Sequence, residues 1–318
     1  MRAQGTIWLA CCLLAACSQP RVTRIRIGMN PWPGYAHLAV AVQAGLFAEH
    51  GIEAQLVEYT SLHDLSRGFA DGQIDVLPST LVEVLTLHAE RRRLPEIVWL
   101  ADHSIGSDIV VARAENAAAL RGRRIAYEAH SLGSYILARF LERHQMQATE
   151  VEAVSLSQDQ MAISFAEGRI DAAITYPPFS MEMQAVAGAR TVFDTREIPN
   201  EVIDTISIDR ALLDQDPTLL GRFHSALAAA HRLDATDRTT TERIMARACG
   251  MSVDEFRVAK AGIEVYGPEV QADWLRGGSR LRLLADRIAR ELHVPAHTTD
   301  FVLATDRPSP LLTPAAPR

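Results

Sequence analysis

The chain contains nearly the same seven residues twice, FADGQID at 69–75 and FAEGRID at 165–171. A helical pattern precedes each copy, and an apolar stretch follows it, VLPSTLVEVL after the first and AAITYPPF after the second. The glycine tolerates positive φ and so ends a helix, and the isoleucine begins a buried strand. The aspartate can accept bonds from backbone donors at the bend, so we interpret Asp75 and Asp171 as structural. The repeat predicts two α/β units of similar plan.

Strand and helix patterns alternate through most of the chain, which predicts βαβ units on mostly parallel sheets. The predicted strands lie at 24–30, 52–60, 74–78, 96–104, 107–114, 123–130, 151–157, 170–176 and 189–195. A further apolar segment, 201–209, leads back out of the second unit. The predicted helices lie at 38–51, 61–72, 79–92, 131–144, 159–168, 177–188, 216–236, 239–249, 252–262 and 278–292.

These patterns predict an α/β protein of two lobes, each a mostly parallel sheet flanked by helices, with additional C-terminal helices. The expected organisation is a signal peptide at 1–16, the first part of lobe 1 at 17–106, lobe 2 at 107–204, a return to lobe 1 with C-terminal helices at 205–304, and a Pro-rich tail at 305–318.

The first residues have the pattern of an export signal. Arg2 supplies a positive charge, and the apolar run TIWLACCLLAAC is too short to span a bilayer comfortably. The run ends in Leu14-Ala15-Ala16-Cys17, which resembles a bacterial lipobox. We therefore predict export and a lipid anchor on Cys17. An ordinary secretory signal that leaves Cys17 unmodified is the alternative, and it also exports the chain.

The cysteine, histidine and charge patterns argue against several classes of site and partner. The first three cysteines fall in the signal and the lipobox, so Cys249 is left without an internal disulfide partner. No Cys/His spacing predicts a metal site, and no cofactor motif is found. A net charge of −7 without a basic stripe argues against nucleic acid as the main partner. His103 and His130 fall near strand ends, where they could line a site or be ordinary surface histidines.

Four passages resemble one family of proteins: NPWPGYAHLAVAVQAGLFAEHGIEAQLVEY, FADGQIDVLPS, ADHSIGSDIVVAR, and RIAYEAHSLGSYILARFLERHQM followed by FAEGRIDAAITYPPF. The resemblance is to the periplasmic substrate-binding proteins of ABC importers, and within them to the nitrate, sulfonate, taurine and thiamine-precursor (NMT1/THI5-like) group. It covers about residues 24 to 200 and implies the type II periplasmic-binding fold. It implies a small-molecule ligand held between two lobes, but does not identify it.

The ligand site is expected beyond the carboxyl ends of the strands, where helix N-termini point. The two repeats deliver Ser79 and Thr175 to such positions. Carried over from the resemblance, the candidate ligand-binding residues are Trp32, Gly34, Tyr35, Ser79, Thr80, Ser104, Asp108, Glu128, Ser131, Gly133, Ser134, Thr175 and Tyr176.

Structural roles would also explain some of these residues. Trp32 and Tyr35 lie among Pro and Gly and could simply pack on the first helix. Ser79 and Ser131 could be ordinary helix N-caps.

The sequence does not decide the charge of the ligand. The proposed loops contain no lysine and no obvious arginine, which argues against a bare anion, although helix N-termini alone can hold one. The acids at 102, 108 and 128 would suit an amine or a heteroaromatic ring. Asp108 and Glu128 could instead be paired with arginines such as Arg113 or Arg124.

The function expected from the residues and the resemblance is capture of a small organic solute, similar to a sulfonate, taurine or a pyrimidine, and its delivery to an ABC permease in the inner membrane. We expect a lipid-anchored periplasmic monomer that makes and breaks no bonds. One alternative is a ligand sensor for a membrane receptor. Another is an enzyme on the same frame, although no GxSxG, P-loop or SxxK pattern is found.

Overall fold

The computed structural model describes residues 22–277 and 279–295, together with residues 307 and 309. The signal peptide at 1–16, Cys17 and nearly all of the 305–318 tail lie outside the described residues. The strands are β1 Thr23–Met29, β2 Ile52–Glu58, β3 Val76–Thr80, β4 Pro95–Ser104, β5 Ile109–Ala112, β6 Arg124–Tyr127, β7 Glu152–Ser155, β8 Ala172–Thr175, β9 Arg190–Asp194, β10 Ile203–Asp209 and β11 Ile263–Val265.

Helices surround these strands. They are α1 Ala36–Gln43, α2 Leu46–Glu49, α3 Leu62–Ala70, α4 Leu81–Glu90, α5 Leu132–Arg143, α6 Gln158–Ala166, α7 Phe179–Gln184, α8 Arg210–Gln215, α9 Leu219–Thr236, α10 Arg238–Ala248, α11 Val253–Lys260, α12 Pro268–Gly277 and α13 Ser279–Glu291. Among the described residues, no helix is long and apolar enough to cross a bilayer.

The strands form two sheets, and the predicted two-lobed α/β fold is confirmed. Lobe 1 has six strands in the order β11-β4-β10-β3-β1-β2, and lobe 2 has five in the order β7-β6-β8-β5-β9. β1 pairs in parallel with β2 and β3, and β6 pairs in parallel with β7 and β8. β10 runs antiparallel to both of its neighbours, as β5 does in lobe 2.

These two antiparallel strands directly follow the crossings between the lobes. β5 enters lobe 2 after β4, and β10 returns to lobe 1 after β9. The crossings are hydrogen-bonded to each other: the Ser104 and Thr195 hydroxyls lie 2.7 Å apart, and the Gly106 N–H donates to Thr195 Oγ1 at 2.8 Å. β10 begins at Ile203, two residues before the boundary proposed at 205; the domain boundaries themselves stay a prediction.

The repeated aspartates tie each junction to the neighbouring parallel strand. In lobe 1, Asp75 N–H donates to the Arg26 carbonyl at 2.8 Å, and Arg26 N–H donates to Asp75 Oδ2 at 2.9 Å. In lobe 2, Asp171 and Arg124 make the same two bonds at 3.0 and 2.8 Å. The glycine before each aspartate has positive φ, 74° at Gly72. The structural interpretation of both aspartates is therefore confirmed.

The same residues also reach the antiparallel strand. The Asp75 carbonyl accepts from Asp209 N–H, and the Asp171 carbonyl accepts from Arg113 N–H, both at 3.0 Å. Each aspartate therefore joins three strands, and the two repeats occupy equivalent places in the two sheets.

Local predictions were wrong in a few places. The helix predicted from 38 to Gly51 is two helices, α1 and α2, because the chain turns at Gly45 with φ 74°. α8 was not predicted; Asp209 caps it by accepting a bond from Ala211 N–H. α12 and β11 were also missed. β11 is only three residues long and is defined by its pairing with β4, which lies far away in sequence.

The two junction aspartates should differ in their contribution to stability. Asp75 also receives bonds from the Arg26 and Arg93 guanidinium groups at 2.8 and 3.2 Å, whereas Arg124 Nε lies 3.6 Å from Asp171. We expect Asp75→Ala to lower the free energy of unfolding by about 3 kcal/mol and Asp171→Ala by about 1 kcal/mol. Urea unfolding monitored by circular dichroism measures both; equal losses would contradict this ranking.

Candidate ligand-binding cleft between the lobes

A small cavity of about 10 Å³ lies where the two lobes meet. That is room for about one water molecule, so the lobes are closed on each other. Its lining combines Leu62 of lobe 1 with residues from the loops and helix starts of lobe 2. The lining residues are Leu62, Asp108, Glu128, Ser131, Leu132, Gly133, Ile136, Gln158, Ile174, Thr175 and Tyr176. Six candidate residues from the sequence lie here: Asp108, Glu128, Ser131, Gly133, Thr175 and Tyr176.

Aromatic rings from the two lobes meet beside this cavity. The rings of Trp32 and Tyr176 pack edge to face with their centroids 5.9 Å apart. The Trp32 indole N–H donates to Asp102 Oδ2 at 3.1 Å, and the Tyr35 hydroxyl donates to Asp204 Oδ1. Packing on the first helix therefore does not account for the orientation of either ring.

Two glycines permit close approaches at the site. A Cβ atom on Gly34 would lie 1.6 Å from Asp102 Oδ2, so only glycine fits beside that carboxylate. A Cβ atom on Gly133 would lie 2.8 Å from the Glu128 backbone nitrogen and oxygen, so glycine lets the start of α5 pack against the preceding loop. His103 stacks on Tyr266 instead of lining the cavity.

At the end of the first repeat's strand, the polar groups are used within the fold. Thr80 is the N-cap of α4, so the predicted cap at Ser79 was wrong by one residue. The Ser79 hydroxyl donates to the Thr80 carbonyl at 3.3 Å, and Thr80 Oγ1 accepts from Val82 N–H at 3.1 Å. Neither Ser79 nor Thr80 lines the cavity.

Glu83 joins the two lobes. Its Oε2 accepts from Thr80 N–H at 3.0 Å, and its Oε1 accepts from the Ser131 hydroxyl and from Leu132 N–H, both at 2.8 Å. Ser131 occupies the predicted N-cap position of α5, but its side chain makes no capping bond. A carboxylate from lobe 1 thus caps a helix of lobe 2. The sequence contains the capping-box pattern of Thr80 and Glu83, but nothing local indicates the contact with α5.

The remaining polar candidates have partners within the fold. Ser104 belongs to the crossing described above, and the Ser134 hydroxyl accepts from His130 N–H at 3.1 Å. Neither serine lines the cavity. Thr175 does, and its hydroxyl donates to Gln158 Oε1 at 2.9 Å. Gln158 was not predicted as a site residue because nothing in the sequence distinguishes it from the other polar residues at the start of α6.

The cleft contains buried carboxylates close to one another. Asp204 of β10 is in register directly opposite Asp102 of β4, and like charges in that position repel. Asp102, Asp108, Asp204 and Glu83 are each at most 2 % exposed, and Glu128 is 5 % exposed. Asp204 and Glu83 were missed because they come from a later strand and a helix face.

Burial raises the pKa values of Asp102, Asp108, Glu128 and Asp204. Loss of hydration raises the pKa of Asp108 and of Glu128 to about 7, and the negative charge of Glu83 adds to both increases. Burial, with the charge of Asp108, raises the pKa of Asp102 well above its ordinary value. Burial also raises the pKa of Asp204, and the charges of Asp102 and Asp108 contribute. Ionising the cleft is therefore costly without a compensating positive charge.

The alternative that arginines neutralise Asp108 and Glu128 is wrong. Arg113 donates to the Ala166 carbonyl at 3.0 Å, and Arg124 lies beside Asp171. Neither guanidinium group forms an ion pair with the cleft acids.

Several buried polar atoms at the cleft have no hydrogen-bond partner among the described residues. These atoms are the two amide atoms of Asn30, the hydroxyl of Tyr176, and one carboxyl oxygen each of Asp102, Asp108 and Glu128. All five residues are at most 5 % exposed. Buried polar groups are normally satisfied, so these atoms point to a molecule that would complete their bonding.

Comparisons with known proteins agree with the two-lobed fold. The model of the NMT1-like family matches residues 18–250. No curated protein matches the chain.

Solved structures share the fold. The alkanesulfonate-binding protein SsuA from Xanthomonas axonopodis pv. citri, bound to MOPS, is 18% identical with a TM-score of 0.70, over 86% of this chain and 95% of that one. The periplasmic nitrate-binding protein NrtA from Synechocystis PCC 6803 is 12% identical with a TM-score of 0.61, over 89% and 92%. The desulfurization enzyme DSZB is 18% identical with a TM-score of 0.65, over 91% and 97%. The fold thus serves both binding proteins and an enzyme.

Removing the Glu83 carboxylate should favour the open cleft. Glu83→Ala deletes two hydrogen bonds between the lobes, which are worth about 1.5–3 kcal/mol together. We expect the ratio of closed to open molecules to fall about tenfold to hundredfold, seen as a larger radius of gyration in small-angle X-ray scattering. Ser134→Ala is the control, because that hydroxyl bonds only within lobe 2. An unchanged radius for Glu83→Ala would contradict a latching role.

Asp108 should destabilise the ligand-free protein at high pH. Its raised pKa of about 7 means that the folded state must hold an ionised, buried carboxylate above pH 7. The cost decreases as the pH falls through 7 and vanishes below the unfolded value near 4. We expect Asp108→Asn to raise the free energy of unfolding by about 2–4 kcal/mol at pH 8 and by less than half as much at pH 5.

Urea unfolding at the two pH values measures this difference. Asp75→Asn is the matched control, since ion pairing with Arg26 lowers the pKa of Asp75 against the effect of burial. That variant should lose stability at both pH values. If Asp108→Asn raised the free energy of unfolding equally at both pH values, ionisation of the Asp108 carboxylate would not be the cause of the difference in stability.

Proposed function

Since the chain belongs to the NMT1-like family, we propose that it is an extracytoplasmic solute-binding protein of an ABC importer. It captures a small organic solute, of the size of a sulfonate, taurine or a pyrimidine, between its lobes and delivers it to the permease in the inner membrane. The lobes open about the two crossings to admit the solute and close around it, as in other hinged binding proteins.

One observation carries this proposal. Trp32 of lobe 1 and Tyr176 of lobe 2 face each other across a closed cleft whose lining includes unpartnered polar atoms. Rigid aromatic rings offer large contact areas at low entropic cost, and a solute between them would touch both lobes at once.

We further propose that Cys17 carries a lipid that holds the mature protein on the periplasmic side of a membrane, as a monomer. The support is the order of the signal: positive charge, short apolar run, small residues, cysteine. Cys17 itself lies outside the described residues.

An enzyme on this fold has less support. Cys249 is the one cysteine in the described part of the chain, and its thiol is fully buried at the end of α10. Burial raises the pKa of that thiol to about 12, which is the opposite of what a nucleophile needs. It does not line the cleft.

If both rings hold one solute, replacing either should weaken the same ligand. Thermal unfolding against alkyl sulfonates, nitrate, taurine, pyrimidines and small amines identifies a ligand, since one at a hundredfold its dissociation constant stabilises the protein by about 2.7 kcal/mol. Titration calorimetry should then show that Trp32→Leu and Tyr176→Leu each weaken binding by about tenfold to hundredfold.

Trp274→Leu is the control for this pair. Its ring lies in a separate groove beside Arg280, so binding should be unchanged. If one of the two cleft variants binds normally while the other does not, the ligand does not span both lobes.

Fractionation of cells tests the anchor. The wild-type chain is expected in the membrane fraction, and Cys17→Ala, which leaves no thiol to receive lipid, in the soluble or uncleaved form. Mass spectrometry of the mature N-terminus then reads the lipid directly. An unmodified Cys17 at that terminus would support the ordinary secretory signal instead.

A further inference from the structure

The buried acids of this protein fall into two sets. Eleven Asp and Glu residues are buried in the described part of the chain. Six of them form an ion pair with a basic side chain: Glu96, Glu201, Asp209, Asp216, Asp234 and Glu242. The other five have no such pair, and all five lie at the cleft: Glu83, Asp102, Asp108, Glu128 and Asp204.

In the paired set, a basic side chain lies beside each buried carboxylate. Arg139 Nε lies 2.7 Å from Glu201, Arg93 lies 2.7 Å from Asp209, and Arg307 Nε lies 2.6 Å from Glu96. An uncompensated buried charge costs several kcal/mol, so pairing is the expected outcome. The five cleft acids depart from this rule together and in one place.

Unpartnered side chains at the cleft give an independent indication of a ligand. The hydroxyl of Tyr176 lines the cavity and interacts with Asn30, but neither the hydroxyl nor the two amide atoms of Asn30 make a hydrogen bond of normal geometry. Both residues are more than nine-tenths buried. One oxygen each of Asp108 and Glu128 is left free at the same place. The free groups at the cavity thus include carboxyl oxygens of two acids, together with a hydroxyl and an amide that can donate or accept.

Two helix-start N–H groups that could hold an anion are already occupied. Leu132 N–H at the start of α5 and Thr80 N–H at the start of α4 both donate to Glu83. Helix N-termini are the usual sites for anionic ligands, and a carboxylate of the chain itself takes these two. An anion would also have to enter beside four more carboxylates.

We propose that the solute of this cleft is a cation: an organic amine, a quaternary ammonium compound or a protonated heteroaromatic ring. This inference rests on the proposed binding function and names the class of substrate. The positive group supplies the charge that offsets Asp102, Asp108, Asp204 and Glu128. A cation with an N–H also donates to the free oxygens of Asp102, Asp108 and Glu128, whereas a quaternary ammonium group is attracted by charge alone.

The aromatic rings favour an organic cation. Trp32 and Tyr176 bring π faces to the same place as the carboxylates, and such faces attract ammonium groups that have shed water. Among the described residues, no group of three His, Cys, Asp or Glu side chains is arranged to hold a metal ion. The cleft therefore suits a nitrogen cation better than a divalent metal.

The substrate class can be tested with the purified full chain and a low-molecular-weight metabolite extract. Ion exchange separates the extract into cationic, neutral and anionic fractions. Each fraction is added to the protein at pH 8, and the unfolding temperature of the protein is measured. We expect the cationic fraction alone to raise it. Benzylamine, benzyl alcohol and benzenesulfonate, which differ mainly in charge, then serve as defined probes in calorimetry, and benzylamine should bind at least tenfold more tightly than the other two.

Variants connect the response to the carboxylates. Asp108→Asn and Glu128→Gln should each weaken benzylamine at least tenfold and weaken benzyl alcohol by a clearly smaller factor. Glu242→Gln is the control: it is a buried acid, paired with Arg257 away from the cleft, and should bind benzylamine like the wild type.

The outcomes separate the two proposals. A response to the anionic or neutral fraction alone would overturn the cationic substrate and leave the binding function standing. No response to any fraction, from a protein shown to be folded, would overturn both. Equal benzylamine affinity in Asp108→Asn, Glu128→Gln and Glu242→Gln would show that the cleft acids do not recognise the cation.

Discussion

Whether a buried carboxylate has a cation beside it determines what that carboxylate does in this protein. Where an arginine, histidine or lysine is present, as at Glu201 or Asp234, the acid stabilises the fold. At the cleft, burial opposes ionisation and raises the pKa values of Asp102, Asp108 and Asp204; the charge of Asp108 adds to the increase at Asp102, and the charges of Asp102 and Asp108 add to it at Asp204. The described part of the fold thus places no cation beside these cleft acids, and the proposed ligand is the component that would compensate them.

The two repeated junctions create the geometry that this cleft requires. Each stops a helix at a glycine and joins three strands through one aspartate, Asp75 or Asp171. The strand that follows ends at the boundary between the lobes, with Thr80 in one case and Thr175 in the other. The two crossings place β5 beside β8 and β10 beside β3. Asp108 follows the first crossing and Asp204 follows the second, and both residues therefore lie at the boundary between the lobes.

The sequence was sufficient for features that depend on neighbouring residues. The repeat, the strand ends and the loop with Trp32 were predictable because glycine, proline and aspartate act locally on the backbone. Interactions between distant segments were not predictable: Glu83 reaches Ser131 in the other lobe, and Asp204 faces Asp102 only because β10 inserts between β3 and β4. The acids at 102, 108 and 128 suggested an amine, but only the structure shows that no arginine in the described part of the chain compensates them.

Proton exchange on binding is the most direct measurement of the central claim. Calorimetric titration of the bound ligand near pH 7, repeated in buffers of different ionisation enthalpy, counts the protons taken up or released. If a cation binds to carboxyl groups that are protonated in the empty cleft, binding must release protons, because the ligand stabilises the ionised form. Release is the result we predict; uptake of protons, or no exchange at all, would contradict an account in which the buried acids recognise a positive charge.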